Sequence, residues 1–307
     1  MTRRAAAIAV LLGIALYATS PRTFAWNAAG HRLTAAIAWM EMDAATRSRV
    51  ARLLAAHPDH ALWVARARSA DAAYGAFLEA STWPDDIRRD TRFHDDAEPA
   101  TPAIPGFPDM ARHGRWHYVD QPLSGLAVAH AGNGEQPQRI ARLSATLADG
   151  DSGIAARAYA LPWLIHLVGD AHQPLHTVSR YDEEGQGDEG GNRVWIDNPQ
   201  HPRRRETTLH AYWDDLPGPP WLRGERLDAA AARLGAAAGR PVSPATVGDW
   251  LQEGRRLAQT AVYEGLEGEV PTVTPAYQER AQRVANERIL LAGRQLARLL
   301  EQLLQKQ

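Results

Sequence analysis

"SGIAARAYALPWLIHLVGDAHQPLH", residues 152–176, decides what kind of chain this is. Its first two thirds are apolar and alanine-rich at helical intervals, so the spacing predicts a helix from just after Ser152 to about Val168. Its last eleven residues hold three histidines and one aspartate. A core helix has no use for them, and a solvated helix more often carries lysine and glutamate. His166 and Asp170 are four apart and share one helix face. Gly169 and Pro174 end the helix near Asp170, and His176 lies past the turn, able to fold back toward the same point. Two ligands on a last helical turn and a third from the next loop suit a metal ion. Histidines that merely cap helix carbonyls would give the same local pattern.

Most of the remaining chain has the same periodicity. Ala-, Leu- and Arg-rich segments recur with apolar residues three and four apart. Asp43 is placed to cap a helix from Ala44 to about Ala56. Ser243-Pro244 and Thr274-Pro275 each put a capping hydroxyl before a first-position proline, predicting two more helices, the last running to about Leu304. Trp116–Val119 and Arg193–Ile196 read as short extended pieces. Residues 98–108, with four prolines, and residues 181–192, rich in glycine and acids, read as loops. No repeat or linker divides the chain. The expectation is a mainly α, single helical domain over residues 26–307, with a few short extended segments.

Residues 1–25 read as a signal peptide. Arg3 and Arg4 precede a thirteen-residue apolar run, Ala5 to Tyr17, short for a bilayer span. Thr23-Phe24-Ala25 then offers small residues where a signal peptidase prefers them. Cleavage after Ala25 would export the chain, to the periplasm or beyond, with Trp26 first. Net charge is -2, so no basic surplus exists to hold a nucleic-acid backbone by overall charge. There are no cysteines, which excludes disulfides, thiolate metal sites and cysteine nucleophiles. Any metal must be held by histidine, carboxylate and backbone.

Further fragments carry the same residue types. His210 and Asp214 in "LHAYWDD" repeat the four-residue spacing. "STWPDDIR" sets Asp85 after a tryptophan and proline, with Arg88 one turn on. "RWHYVD" sets His117 in the expected extended piece, and "WNAAGHR" sets His31 five residues after Trp26. Singly, each has an ordinary structural account. In this order behind a leader, the set W-x4-H, W-x-D, H-[YF]-x-D, H-x3-D-x5-H, GGN and H-x3-D resembles the zinc-dependent single-strand nucleases, the family of mung bean nuclease and the fungal nuclease/3'-nucleotidases. The resemblance runs from Trp26 to about Asp214, with a compatible helical tail.

That resemblance implies three zinc ions in a cleft of a helical domain. Carried over by position, Asp85, His117, His166 and Asp170 hold one. Trp26, through its α-amine and carbonyl, and His31 hold a second that Asp170 bridges to the first. His176, His210 and Asp214 hold the third. Against the three aspartates, three dications would leave about +3, a local trap for phosphate. Two zincs roughly 3.5–4 Å apart can share and acidify a water. The family pattern makes Arg88 the cation facing charge on the phosphate oxygens, and Tyr118, Asp120 and Asn192 a pocket for an unstacked base. The implied substrates are single-stranded DNA or RNA and 3'-nucleotides. His172 matches no family ligand and is expected beside one.

The chain departs from the pattern in lacking cysteines and in the acidic loop of residues 177–191, which would disfavour long polyanions. Two rivals use the same residues. A zinc phospholipase C would place glutamate where Asp214 stands, a longer gap after its terminal tryptophan, and no base pocket. A non-catalytic zinc-binding protein would saturate its metals with protein ligands.

Overall fold

The structure is a computed structural model that describes residues 26–123, 133–201, 204–236 and 243–305. The proposed signal segment and His130 lie outside the described residues. Among the described residues eleven α-helices dominate, as the periodicity predicts. The first five are α1 (Ala28–Glu41), α2 (Ala44–Ala55), α3 (His60–Ala67), α4 (Ala72–Ala80) and α5 (Trp83–Asp86). After them come α6 (Gln136–Ala148), α7 (Ile154–Asp170) and α8 (Leu209–Asp215). The chain ends with α9 (Glu225–Ala236), α10 (Val247–Leu257) and α11 (Pro275–Leu304). No described helix is long and apolar enough to cross a membrane.

Two helices form the centre. Helix α1 is buried from Ala29 to Ala38 and packs along α11, while α7 is buried from Ala158 to Asp170. Both lack a solvent face over those stretches, so their polar residues, His31, His166 and Asp170, are carried into the interior. Helix α11 is one-sided: Tyr277, Ala281, Ala285, Ile289, Ala292, Leu296, Leu300 and Leu304 face inward at three- and four-residue steps.

The strands are short. Strands β1 (Val119–Pro122), β2 (Asn133–Gly134) and β3 (Val178–Ser179) form one small sheet with β1 central, antiparallel to β2 and parallel to β3. Strands β4 (Trp195–Asp197) and β5 (Glu206–Thr208) form a hairpin that leads straight into α8. Apolar packing divides into a large cluster around α1, α2, α4, α7 and the end of α11, and a smaller one around Leu175, Ile196, Leu209, Trp213, Val262 and Tyr277. Leu216 packs against both.

Local boundaries follow the capping chemistry. Asp43 accepts from the Thr46 amide at 2.6 Å and Thr274 from the Tyr277 amide at 3.2 Å, as expected. Ser243-Pro244 does not open a helix. Helix α10 starts at Val247 because Thr246 and Asp249 cap each other's backbone amides, satisfying two donors where a lone Ser–Pro satisfies one. Ser152 turns its hydroxyl to Asp149 instead of capping α7, which starts after Gly153. The expected extended piece at residues 116–119 is also corrected. Gly114–His117 is a 3-10 turn, with Trp116 pinned between the His113 ring at 3.6 Å and the Arg139 guanidinium at 4.5 Å, and extended backbone begins only at Val119.

Candidate metal centre

All eight histidine and aspartate side chains singled out as ligands converge at the C-terminal end of α7. They form three groups: His31 with His166 and Asp170; Asp85 with His117 and His166; and His176 with His210 and Asp214. Each is buried except Asp85, which is partly so.

His166 and Asp170 share the last turn of α7. The His31 ring, from α1, stacks on His166 at 3.8 Å and lies against Gly169, where an added Cβ would sit 3.0 Å from His31 Nδ1. Glycine in "LVGD" is therefore what lets α1 bring an imidazole against the α7 backbone. Asp170 divides its oxygens. Oδ1 faces His31 Nε2 at 3.4 Å, and Oδ2 faces His117 Nδ1 at 3.1 Å and His166 Nε2 at 3.3 Å. Asp85, from α5, lies 3.8 Å from His166 Nε2 and 4.0 Å from His117 Nδ1.

The third group is positioned by hydrogen bonds. The 3-10 turn Pro174–His176 swings His176 back after α7 ends. Gln173 donates its amide to Asp214 Oδ1 at 2.8 Å and accepts from the Leu175 amide at 2.6 Å, tying that turn to α8. His210 Nδ1 donates to the Gly190 carbonyl at 2.7 Å. Gly190 has φ +59, and a Cβ there would collide with the Leu175 carbonyl oxygen, which explains the paired glycines of "GGN".

The protonation pattern tests whether these donors fit a cation. His166, His176 and His210 each direct Nδ1 at a carbonyl oxygen, of Ser81, His117 and Gly190, at 2.7–2.8 Å. A carbonyl only accepts, so each Nδ1 carries a hydrogen, and in the neutral ring Nε2 presents a lone pair. The Nε2 atoms of His176 and His210 nevertheless face each other at 3.0 Å, and His210 Nε2 is 3.4 Å from Asp214 Oδ2. Two neutral imidazoles and a carboxylate set this close form a donor group that suits a cation. Both nitrogens of His31, Nε2 of His117, and one oxygen each of Asp85 and Asp170 are buried without a hydrogen-bond partner. Each such orphan costs roughly 1–3 kcal/mol. The donors are imidazole nitrogen and carboxylate oxygen without sulfur, a set that suits zinc.

The electrostatics agree. Burial pushes the Asp170 carboxyl up to about 6 and the Asp214 carboxyl well above the usual range. Burial also holds His31 and His117 well below the usual imidazole range, with neighbouring histidines and Arg88 adding to the effect. His166 goes the other way, because Asp170 and Asp85 outweigh its burial. Without a cation, most of these groups are driven toward neutrality.

A cavity of about 920 Å³ opens onto the site, and Asp85, Asn192, His210 and Asp214 line it. Trp26 is fully buried, and the Asn27 amide donates to the Asp214 carbonyl at 3.0 Å, fastening the start of the described chain to α8. Arg88, expected to face charge on the phosphate oxygens, lies beside one of the expected ligands: its Nε is 3.5 Å from Asp85 Oδ1.

The three residues expected to meet a base take different places. Asn192 lines the cavity and donates to the Glu189 carbonyl at 2.7 Å. Half-buried Tyr118 and Asp120 are not among the described lining residues. Asp120 accepts from Ser179 Oγ at 2.6 Å, and that oxygen accepts from the Gly190 amide at 2.8 Å, so β1 is linked to the glycine pair. The acidic loop is anchored at one point, while Asp182, Glu183, Glu184 and Glu189 stay exposed. Asp188 is buried, accepting from the Tyr263 hydroxyl and the Arg180 amide, and Glu189 pairs with Arg193. His172 donates to the Val168 carbonyl and packs on Trp250. His57 is a core residue stacked on Trp63. Gln173 was not singled out from sequence, although it sits inside the quoted motif.

Comparison with known families matches residues 26–305 to S1/P1 Nuclease. The chain belongs to the S1/P1 nuclease family. Among curated proteins it is 44% identical to Endonuclease 3 of Arabidopsis thaliana and 42% identical to Endonuclease 4 of the same plant, each over 57 residues. Those segments cover 19% of this chain and 16% of each plant protein, so the chain spans about a sixth of their length in these matches. The S1/P1 nuclease match itself encloses all three histidine–aspartate groups and the cavity that opens on them.

Proposed function

We propose that this protein is an exported, zinc-dependent endonuclease that hydrolyses phosphodiester bonds of single-stranded DNA and RNA to 5'-nucleotides and also removes 3'-phosphates from nucleotides. The observation that carries the reading is the convergence of three histidine–aspartate groups, together with the orphaned atoms of His31, His117, Asp85 and Asp170. Such a donor arrangement calls for cations, and membership of the S1/P1 nuclease family says what they are for. The family match also weighs against the phospholipase C reading.

Asp85, His117, His166 and Asp170 would hold one ion; Trp26, His31 and Asp170 a second; His176, His210 and Asp214 the third. Zinc bound there supplies Lewis acidity, which makes water nucleophilic near neutral pH and stabilises charge on phosphate oxygens. The chain's own residues do the rest. Ser81, His117 and Gly190 carbonyls orient the three imidazoles and leave each Nε2 as the atom that would face an ion. Arg88, held beside Asp85 at the site's edge, turns its guanidinium toward the charge that grows on the transferring phosphate. Tyr118, Asp120 and Asn192 recognise the base, which must leave its helix to be stacked and so favours single strands. A cavity opening on three ligands supports catalysis over storage.

Removal of residues 1–25 frees the Trp26 amine as a ligand. The test is zinc per chain on protein processed between Ala25 and Trp26, with hydrolysis of single-stranded DNA, RNA and 3'-AMP assayed in parallel. About three ions and activity on all three substrates are expected. Fewer than two tightly held ions, or full activity with the leader still attached, overturns the reading.

A further inference from the structure

Beyond the ligands, the cleft carries an aromatic residue that the metal chemistry does not use. Trp195 lies in β4, where the alternation of the strand sends Ile196 into the core and leaves the indole 52% exposed. Among the described residues six large apolar side chains are exposed, and two of them, Trp195 and Leu62, line the cavity that reaches the metal ligands. Trp195 pairs across the hairpin with Thr208, and Thr208 caps α8, the helix that carries His210 and Asp214. Its backbone is therefore roughly 10 Å from His210, one cross-strand step of ~5 Å plus two residues.

The charges around it are mixed. Arg66 and Arg204 line the same cavity, each in a half-exposed pair, with Asp86 at 3.1 Å and with Asp215 at 3.0 Å. Such exposed pairs are held weakly and can yield to another anion. Asp86, Asp215 and Glu206 also line the cavity, so phosphate attraction alone gives little grip here. What the cavity offers is an exposed indole, with a second exposed apolar side chain and arginines among the same lining residues. A nucleobase on a phosphate backbone matches that chemistry, and stacking needs no particular base.

We propose that Trp195 is a stacking platform for a nucleotide flanking the scissile linkage, so that the cleft holds an oligonucleotide strand more tightly than a single nucleotide. The proposal rests on the nuclease reading for the identity of its ligand. Two measurements on the zinc-loaded protein separate them. In the first, binding of a 5'-fluorescein pentathymidylate with hydrolysis-resistant phosphorothioate linkages is followed by anisotropy. Trp195→Ala is expected to weaken binding on the order of tenfold, and Trp195→Phe to restore most of it. In the second, the ratio of kcat/KM for pentathymidylate to that for 3'-AMP is expected to fall about tenfold in Trp195→Ala, through KM. Zinc content and melting temperature report whether the variant is intact. An equal loss on both substrates, or unchanged pentamer binding, overturns the platform. If wild-type protein cleaves neither substrate but Trp195→Ala still weakens pentamer binding, the platform stands and the nuclease reading falls.

Discussion

The two halves of the metal centre are built differently. His31, Asp85, His117, His166 and Asp170 belong to the large apolar cluster's side, and two central helices, α1 and α7, carry three of them. His176, His210 and Asp214 ride on a single 3-10 turn and the seven-residue α8, over the smaller cluster. In the first half, position comes from helix packing, with His31 pressed on His166 and on Gly169. In the second it comes from hydrogen bonds through Gln173, Gly190 and the His117 carbonyl. A short element cannot aim a side chain by its own rigidity, so neighbours must do so. Bonds that join the halves include His176 Nδ1 to the His117 carbonyl, the Asn27 amide to the Asp214 carbonyl, and the Asn27 side chain to Asp215 Oδ1 at 3.0 Å.

The largest expected effect breaks one half and spares the other. Asp170→Asn removes the carboxylate whose two oxygens serve two ligand groups. Activity should fall more than about 100-fold, beyond what loss of a supporting partner typically costs. Metal analysis should find two ions lost and one retained. Asp214→Asn should show the converse, one lost and two retained. Loss of all three ions in either variant would mean that the halves assemble as one unit.

Next in size, Arg88→Ala should lower kcat by about 100-fold with the metal content intact, the scale seen when one donor to developing charge is removed. A fall in metal content instead would make Arg88 a brace for Asp85, its 3.5 Å partner.

The two glycines compare the halves on stability. Gly190→Ala forces a side chain into a left-handed backbone and against the Leu175 carbonyl. It should cost about 1–3 kcal/mol and loosen the ion held by His210. Gly169→Ala meets the edge of the His31 ring, which can tilt by a few tenths of an ångström, so its cost should be smaller and fall on the other ions. Thermal melts and chelator competition read both. Equal effects would contradict the difference in how the halves are built.

The same difference explains what was legible in the sequence. Capping residues and helical periodicity marked α2, α7 and α11, and with them the four-residue pairing of His166 with Asp170. The eight histidines and aspartates that converge were singled out because their order and spacing resemble a known family's, and that order survives when a fold is unknown. The short elements were not. The turn at Gly114–His117 looked extended because Trp116, His117 and Tyr118 are strand-prone residues, but their tertiary contacts with His113, Arg139 and Gln136 decide the conformation. The start of α10 was misplaced because Thr246 with Asp249 outcompetes a nearer Ser–Pro. Gln173 went unnoticed because glutamine has no metal preference, and its role appears only when α8 is folded against it.

The smallest expected effect concerns a histidine in the large cluster but outside the ligand set, and so separates packing from metal binding. His57 stacks on Trp63, accepts from the Asp59 amide at 3.1 Å, and is held down to about 3 by burial, with Asp59 opposing. The folded protein therefore keeps this ring neutral where the unfolded chain, with an ordinary value of 6.5, takes up a proton. Stability from this group is present above pH 6.5 and is lost as pH falls from there toward 3. By pH 5 the loss amounts to about 2 kcal/mol. His57→Phe should flatten the stability curve between pH 7 and 5 by that amount, even if the variant starts less stable for want of the Asp59 bond. Denaturant midpoints at the two pH values measure it. Because His57 binds no metal, the flattening should be the same with zinc present or stripped. A flattening seen only in the zinc-loaded protein would show that acid acts on this half through its ligands and not through its packing.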